Sequence, residues 1–440
     1  MKRILIALTT ATVLAGCGIL GDSRGPKGTP TVGERIPVLS GEAAVEADPE
    51  LADVPVTLPA PVENAEWTQS GGNASKSVGH VSLGATLAPA WSVSIGQGSS
   101  SNVRLGAAPV VGDGRIYVMD TQAIVRAISP QNGAVLWQRQ LTSPQASART
   151  LFGGGVSYAN GRVYAVNGSG DAAALDAATG NIVWQVRPGG PLRGSPTIAA
   201  DTMYTVSQDN QLFALNIANG EQRWNRAGSA EVSGVFGVAS PAFGQSTVVA
   251  GYSSGELTAY RFENGQEVWS DALTRTTVTT QVHALTDIDA DPVIDQGRVF
   301  AIGQGGRMVA VELNTGQRLW EINVAGIGTP WIAGDWVFVV TDQGQLLAVS
   351  RANGRVRWMS QLQRFRDQED RRGTITWRGP VLAGGRLILV NTLGQIVLAS
   401  PADGSVQATL AARAPISLAP VVAGNTLYIL DDSGRLTAWR

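Results

Sequence analysis

Three aspartates alternate with apolar residues in the middle of the chain, at Asp287, Asp289 and Asp291. Carboxylates at positions 1, 3 and 5 open an EF-hand calcium loop, which also needs Gly at position 6 and a bidentate Glu at position 12. This chain has Pro292 and Arg298 at those positions, so an EF-hand is excluded. Paired carboxylates on a loop also suit charge-assisted hydrogen bonds to Arg, Lys or backbone N–H groups of a partner. The alternative is that each Asp only caps its own turn.

Other residues with reactive side chains are scarce. The chain has two histidines, His80 and His283, and one cysteine, Cys17. Most His-based catalysis and metal chemistry is therefore improbable, and no disulfide forms within the chain. The net charge of −2 argues against nucleic acid binding, which needs clustered Lys and Arg. We predict no metal and no cofactor.

The single cysteine ends an export signal. Lys2 and Arg3 precede an apolar stretch from 4 to 13, and Leu-Ala-Gly-Cys follows at 14–17. The apolar stretch is shorter than the roughly 20 residues that span a bilayer, and small residues before the Cys suit a signal peptidase. The last four residues resemble the lipobox of bacterial lipoproteins, which implies a signal peptide at 1–16 and lipidation of Cys17. A plain cleaved signal is the alternative. Because Gly18 is not the Asp that retains such lipoproteins in the inner membrane, the resemblance implies an outer-membrane anchor facing the periplasm.

Residues 17–62 are rich in Gly, Pro, Glu, Ala and Thr and lack sustained periodicity. This composition predicts a disordered tether, which as a flexible coil would reach roughly 35–40 Å. One apolar island, Gly-Glu-Arg-Ile-Pro-Val-Leu at 33–39, interrupts it. The island is either incidental or a short docking peptide.

A repeat dominates the rest of the chain and uses half of its 12 tryptophans. An Asn/Thr-Gly turn is followed four residues later by Trp in six places: Gly133 and Trp137, Gly180 and Trp184, Gly220 and Trp224, Gly265 and Trp269, Gly316 and Trp320, Gly354 and Trp358. A period of roughly 40 to 50 residues marks a repeated structural unit.

Each unit begins with an apolar strand that alternates with period two, and turn glycines separate the strands. Strand starts fall near Pro109, Val156, Pro196, Pro241, Pro292, Pro330, Pro380 and Pro420. Four-stranded antiparallel sheets repeated radially form a β-propeller, so we predict an all-β fold with eight blades over residues 63–440. The eighth unit stops at Arg440, and the stretch at 91–95 matches its missing strand. We therefore expect an N-terminal strand to close the ring; a seven-bladed ring is the second choice.

The repeated pair has a structural role in this prediction. Gly takes a positive φ at the turn, and Trp packs against the neighbouring blade and leaves its N–H for a backbone acceptor. Gly404 is followed by Ala408 where Trp is expected, so blade 7 should pack less firmly there.

The Trp repeat resembles the pyrroloquinoline-quinone-type repeat, which quinoprotein dehydrogenases share with non-enzymatic propellers. Quinoprotein alcohol dehydrogenases carry a vicinal disulfide and a calcium ion, and no Cys remains here for the former. Neither histidine lies in a motif that matches the base of the glucose-type enzymes. We therefore expect no enzymatic activity, and keep a quinoprotein-like dehydrogenase as the alternative.

A closer resemblance is to the BamB family, the propeller lipoproteins of the β-barrel assembly machinery. It extends from the lipobox to the last strand and depends on three stretches: Trp-Thr-Gln-Ser-Gly-Gly-Asn at 67–73, Leu-Thr-Asp-Ile-Asp-Ala-Asp-Pro-Val at 285–293, and Trp-Arg-Gly-Pro-Val-Leu-Ala-Gly-Gly-Arg-Leu at 377–387. The third stretch and the island at 33–39 are similar to alphaproteobacterial members. The resemblance implies a non-catalytic scaffold that aids the folding and insertion of outer-membrane proteins.

The same resemblance implies binding to BamA and other assembly subunits, with nascent outer-membrane proteins as further candidate partners. Matched to this sequence, one of the family's BamA-contact loops contains Asp287 and Asp289. The other contains Val235 and Phe236, and it lacks the Arg that the family often has there. Phe236 is either an aromatic anchor or a core residue. A charge run at 364–372 is either a solvated loop or a third contact. A propeller that binds another envelope partner remains a further alternative.

Overall fold

The structure, a computed structural model, describes residues 45–141, 153–229, 239–273 and 286–440. In these residues a short 3₁₀ helix, η1 (Pro49–Leu51), precedes the first strand, β1 (Pro89–Ser94). Blade 1 comprises β2 (Val110–Gly112), β3 (Arg115–Met119), β4 (Ile124–Ile128) and β5 (Val135–Gln140). Blade 2 comprises β6 (Gly154–Ala159), β7 (Arg162–Asn167), β8 (Ala172–Asp176) and β9 (Ile182–Val186). Blade 3 comprises β10 (Thr197–Ala199), β11 (Thr202–Val206), β12 (Gln211–Asn216) and β13 (Gln222–Ala227). Blade 4 comprises β14 (Ala242–Gly244), β15 (Thr247–Gly251), β16 (Glu256–Arg261) and β17 (Glu267–Ala272).

The second half of the ring repeats this arrangement. Blade 5 comprises β18 (Val293–Asp295), β19 (Arg298–Ile302), β20 (Met308–Glu312) and β21 (Arg318–Ile322). Blade 6 comprises β22 (Trp331–Ala333), β23 (Trp336–Val340), β24 (Gln345–Ser350) and β25 (Val356–Gln361). A small hairpin follows, β26 (Phe365–Asp367) and β27 (Arg372–Thr374). Blade 7 comprises β28 (Trp377–Ala383), β29 (Arg386–Asn391), β30 (Gln395–Ala399) and β31 (Val406–Ala411). The last strands are β32 (Val421–Ala423), β33 (Thr426–Leu430) and β34 (Arg435–Trp439).

The ring is closed by a strand from the N-terminal side of blade 1. β1 pairs antiparallel with β34, so blade 8 has the order β1-β34-β33-β32. The described residues thus form eight four-stranded antiparallel blades. The predicted eight-bladed propeller and its closing strand are confirmed, and the seven-bladed alternative is wrong. The pairing of β1 with β34 in one sheet also covers two strand edges that would otherwise be exposed.

Burial falls from the axis outward. The second strands are almost completely buried, and β11 along its whole length, because neighbouring blades cover both faces. In the outer strand β13 only Trp224 is buried among six residues. The repeated Trp is therefore the main apolar contribution of an outer strand to the core. Among the described helical segments, none has the length and apolar character needed to span a bilayer.

Each Trp of the repeat contacts the next blade rather than its own turn. Trp137 Nε1 donates to the Ala177 carbonyl at 3.0 Å, and a Cβ placed on Gly180 would lie 2.5 Å from the Trp137 ring. The indole thus occupies the space that a side chain at the next Gly would need. The same donor–acceptor relation joins Trp184 to Ile217, Trp224 to Phe262, Trp269 to Leu313, Trp320 to Arg351 and Trp358 to Pro401.

The meander gives the ring two distinct faces. The first strand of each blade, which is β32 in blade 8, is its inner strand. We call the end of the ring at which every inner strand begins the cavity face; Gly194, Thr329 and Ser417 lie there. We call the other end, with the tight turns between first and second strands, the turn face. Asp113 and Gln296 take positive φ values of 50° and 46° in those turns. Loops that enter a blade therefore all gather at the cavity face.

Residues 62–82, the axial segment, contact every blade. Each contact is a hydrogen bond to a residue of an inner strand: Trp67 with Val111, Thr68 with Tyr158, Gln69 with Ile198, Ala74 with Phe243, Ser75 with Ile294, Gly79 with Trp331, Val81 with Leu382 and Asn64 with Val422. Inner-strand groups that face the axis thus find partners within the chain, as buried polar groups require.

Residues 45–61, the strap, lie on the turn face of blade 6. The backbone N–H of Asp48 donates to the Val356 carbonyl at 2.7 Å. Arg355 forms salt bridges with Asp48 and, at 2.6 Å, with Glu50, while Arg357 Nε donates to the Val54 carbonyl at 2.6 Å. Within the expected tether at 17–62, residues 17–44 lie outside the described residues, and residues 45–61 have charged and backbone partners that composition does not reveal.

Candidate functional site

The candidate site is a cavity on the axis, with a volume of about 170 Å³. Its floor is the axial segment, where Trp67 stacks on Trp331 with ring centroids 6.0 Å apart. Its walls are the loops that begin inner strands, including Ile327, Val381 and Leu418. Among the described residues, segments from six blades supply the lining, so the cavity depends on closure of the ring.

Asp289 lies in the cavity wall and carries an unusual carboxyl group. One oxygen accepts a hydrogen bond from Gln304 Nε2, and Oδ1 is buried with no hydrogen-bond partner. Burial, with the nearby Asp287, raises the pKa of Asp289 to about 6, and Arg378, Gln304 and Arg193 oppose that rise. The carboxyl therefore titrates close to neutral pH.

Asp287 has a different environment, although it is only two residues away. Its exposed fraction is 2%, and its carbonyl accepts a hydrogen bond from Gln304 N at 2.9 Å. The side chain is therefore not available to a partner in this conformation. Of the predicted contact residues, Asp289 lines the cavity; Val235 and Phe236 lie outside the described residues.

Asp291 holds the axial segment to the ring. Its carboxylate accepts hydrogen bonds from Ser70 Oγ at 2.5 Å and from Ser240 N at 2.7 Å. Among the described residues, no three Asp, Glu, His or Cys side chains group where a metal ion could bind. Asp291 thus has a structural role, and three consecutive alternating aspartates have three different environments.

Two arginines, Arg193 and Arg378, bring positive charge to the cavity wall. Burial lowers the pKa of Arg378, and the carboxylates of Asp289 and Asp291 partly oppose that effect. Burial also lowers the pKa of Arg193, and Asp287 and Asp289 partly oppose it. Arg378 Nη1 donates to the Ile327 carbonyl at 2.7 Å, and its Nε is buried without a partner. Neither arginine was a predicted site residue. Both lie in an Arg-Gly pattern shortly before Pro, Arg193 ahead of β10 and Arg378 within β28. This pattern is the signal that sequence reasoning missed.

Lys76 is the other buried cation at the axis. It is 2% exposed, and Nζ lies 3.1 Å from Thr197 Oγ1. Burial lowers its pKa to about 8, against the effect of Asp291. His80 also has a structural environment: Nε2 accepts from Gly385 N at 2.9 Å, and Nδ1 lies 2.7 Å from the Pro59 carbonyl. These contacts hold the strap and axial segment to blade 7.

The charge run at 364–372 is the hairpin of β26 and β27, on the cavity face between blades 6 and 7. Its residues from Asp367 to Arg372 are exposed. Arg366 Nη2 donates to the Thr392 carbonyl at 3.1 Å, and the Arg364 guanidinium lies 4.9 Å from the Phe365 ring centroid. The hairpin is thus attached at its base, and its charged tip faces solvent.

A family model described as outer membrane protein assembly factor BamB matches residues 73–150 and 145–360. The chain belongs to the BamB family. BamB of Yersinia pestis is 25% identical over 357 residues, 79% of this chain and 88% of that protein. BamB of Vibrio cholerae is 35% identical over 252 residues, 57% of this chain and 64% of that protein. The resemblance to BamB seen in the sequence motifs is confirmed.

Solved structures show the same fold. BamB from Moraxella catarrhalis has a TM-score of 0.67 at 19% identity, covering 81% of this chain and all of that one. The quinohemoprotein alcohol dehydrogenase of Comamonas testosteroni has a TM-score of 0.64 at 14% identity, covering 86% of this chain and 81% of that one. At these identities the likeness concerns the propeller alone. Membership in the BamB family therefore comes from sequence.

Proposed function

We propose that this chain is a non-catalytic scaffold lipoprotein of the outer-membrane β-barrel assembly complex, binding BamA through its cavity face. The relatives are outer membrane protein assembly factors by name. The observation that supports the use of this face is Asp289, which lines the cavity there. A half-buried carboxylate on this face accepts charge-assisted hydrogen bonds when a partner supplies donors.

The hairpin of β26 and β27 supports the same face. Its exposed tip mixes both charges, as in the polar rim of a protein interface. The proposal therefore has the cavity as the centre of the contact and the hairpin as part of its edge. Val235 and Phe236 remain proposed contacts on sequence grounds alone.

The anchor in this proposal is the lipidated Cys17. Cys17 would be lipidated after removal of residues 1–16 and would hold the chain at the periplasmic face of the outer membrane. The strap joins the ring on the turn face of blade 6. Mass spectrometry of wild type and Cys17→Ser tests the lipidation; an unmodified wild-type Cys17 would contradict it.

Recovery of BamA from detergent-solubilised envelope tests the partner. We compare wild type with Asp289→Ala, and use Asp201→Asn on the turn face as the matched control. Loss of one hydrogen bond to a charged group predicts about tenfold weaker recovery for Asp289→Ala, with no change for the control. Undiminished recovery would remove Asp289 from the contact. Failure of wild type to recover BamA, or dye-linked alcohol oxidation by the pure protein, would contradict the scaffold proposal.

A further inference from the structure

Residues 54–62, the proline ridge, cross the turn face from blade 6 to the axial segment. The carbonyl of Val54 accepts a hydrogen bond from the outer strand of blade 6. The chain then passes over the turn at Gly334, where a Cβ would lie 3.2 Å from the Thr57 carbonyl oxygen. At the other end, the N–H of Val62 donates to the His80 carbonyl at 2.9 Å. The ridge is thus attached to the ring at both ends and in the middle.

The outward side of the ridge is apolar and carries no charge. Its sequence is Val-Pro-Val-Thr-Leu-Pro-Ala-Pro-Val. Val56 and Leu58 are half-buried against the core, and the other residues of the ridge are exposed, Val54 to 38% and Val62 to 65%. A contiguous exposed apolar surface with a polar rim marks an interaction site.

The backbone of the ridge is constrained along most of its length. Proline fixes its own φ near −65° and restricts the residue before it to extended conformations, which affects the pairs at 54–55, 58–59 and 60–61. Among the hydrogen bonds of the described residues, none is accepted by the carbonyls of Leu58, Ala60 or Pro61. The ridge therefore presents available acceptors on a pre-organised chain, which lowers the entropy cost of binding.

The chemistry of the ridge disfavours two common occupants. A partner strand cannot pair along it, because Pro55, Pro59 and Pro61 have no N–H to donate. A lipid surface would leave the carbonyls without hydrogen bonds, and the exposed carboxylates of Asp53 and Glu63 repel anionic headgroups. A groove lined by aromatic side chains suits both features, because rings pack on prolines and Trp N–H or Tyr O–H groups donate to the carbonyls.

We propose that the proline ridge binds a partner protein whose groove is lined by Trp and Tyr and edged by Lys or Arg. The aromatic rings cover Pro59 and Pro61, and the basic edge faces the exposed carboxylates of Asp53, Glu63 and Glu66. Because the strap and the cavity lie on opposite faces, this partner leaves the cavity face accessible. Binding at the ridge does not require BamA, which the proposed function assigns to the cavity face.

Site-specific photo-crosslinking in the native cell envelope tests the ridge. The full chain carries Thr57→p-benzoyl-L-phenylalanine, or the same substitution at Asp201, an exposed residue on the turn face of blade 3, as the control. We expect position 57 to give a product with another protein, mapped by mass spectrometry beside Trp or Tyr of that protein, and position 201 to give none. No product at position 57, a product mapped away from aromatic residues, a lipid adduct or a covalent dimer of this chain would overturn the proposal.

Exposed prolines provide the matched variants. Pro59→Ala/Pro61→Ala removes two rings and keeps both carbonyls, so the yield of product should fall about tenfold, as expected for contacts at the centre of an interface. Pro191→Ala/Pro415→Ala changes two exposed prolines of the cavity face and should leave the yield unchanged. An equal yield from all three chains would show that the prolines are not recognised and would overturn the proposal.

A synthetic peptide of residues 53–63 tests the same recognition without altering the protein. Added to membranes that contain the wild-type ridge and the crosslinker at position 57, it should suppress the product, and the peptide with Ala in place of its three prolines should not. Equal effects of the two peptides would contradict the proposal even where a ridge variant folds poorly.

Recovery of BamA separates the ridge from the proposed function. Pro59→Ala/Pro61→Ala should recover as much BamA as wild type, because the ridge and the cavity lie on opposite faces. Loss of BamA recovery in this variant would contradict the cavity-face contact of the proposed function, while the ridge keeps its role as a docking surface.

Discussion

The indole of Trp91 covers Gly133: a Cβ on that glycine would lie 2.7 Å from the Trp91 ring. Trp91 Nε1 also donates to the Pro130 carbonyl of blade 1 at 2.9 Å. Trp91 lies on β1, the closing strand of blade 8, and so supplies the Trp that the end of the chain omits. The contact that joins successive blades elsewhere here joins blade 8 to blade 1.

Trp91→Ala should therefore destabilise the whole ring. Removal of a large, mostly buried aromatic costs about 3–5 kcal/mol, and here it also weakens the contact between blade 8 and blade 1. Urea unfolding measures the free energy of unfolding, with Ser92→Ala on the same strand as the control. A loss below about 1 kcal/mol would show that pairing of β1 with β34 closes the ring without the indole.

Gly265→Ala tests the contact between a Trp and the following Gly. Gly265 has φ +68°, and an added Cβ would lie 2.6 Å from the Trp224 ring. Gly114 has nearly the same φ, +66°, with no atom within 4 Å of such a Cβ. Gly114→Ala should cost about 1 kcal/mol from the backbone alone, and Gly265→Ala about 2–4 kcal/mol because overpacking adds. Equal losses in urea unfolding would mean that the indole shifts freely.

Release of the strap should follow Arg355→Glu. The substitution replaces salt bridges to Asp48 and Glu50 by repulsion. We expect endoproteinase Glu-C to cleave after Glu50 several-fold faster than in wild type, with the ring intact. Arg372→Glu, in the exposed hairpin, is the matched control. Wild type should also be cleaved faster in high salt, because exposed ion pairs are screened. If Arg355→Glu is cleaved at the wild-type rate, the backbone hydrogen bonds of the strap, rather than its salt bridges, hold it to the ring.

The carboxyl of Asp289 predicts a pH-dependent difference in stability. Its folded pKa of about 6 exceeds the ordinary value of 3.8, so the folded state binds more protons between those values. Stability contributed by this group falls as pH rises from about 4 to about 6. Asp289→Asn should therefore be more stable than wild type at pH 7.5, by about 2 kcal/mol, and the gap should close towards pH 4.

Urea unfolding of both proteins across that pH range measures the gap. Other carboxyls, such as Asp209 and Glu256, have lowered pKa values and contribute in the opposite direction, so only the difference between the two proteins is informative. Asp201→Asn controls for the loss of one carboxylate. A gap that does not change with pH would show that Asp289 is ionised normally.

The blades were predictable because their signals are local and repeated. A turn Gly, a Trp four residues later and period-two strands lie within one short stretch, and many copies reinforce the pattern. Ring closure was predictable because the stretch at 91–95 has the same pattern. The repeat also predicts that blade 7 lacks its Trp, because Ala408 occupies that position, and Ala408 is exposed.

The strap and the site were not predictable in the same sense. Asp48 and Arg355 are far apart in sequence, and a segment of acidic and Pro-rich composition reads as disordered until its partner is known. Asp287, Asp289 and Asp291 look equivalent in sequence, yet one is buried, one lines the cavity and one holds Ser70. Their difference comes from Gln304, Arg378 and the axial segment, which approach from other parts of the fold.

The sequence by itself determined the repeat, the number of blades, the strand that closes them and membership in the BamB family, because each is marked by a pattern within a short stretch of chain. Only the tertiary structure decided that residues 62–82 contact all eight inner strands, that the strap and the cavity lie on opposite faces, and that Asp289 differs from Asp287. Those features depend on contacts between residues far apart in sequence, and burial and charge at such contacts arise only when the ring is closed.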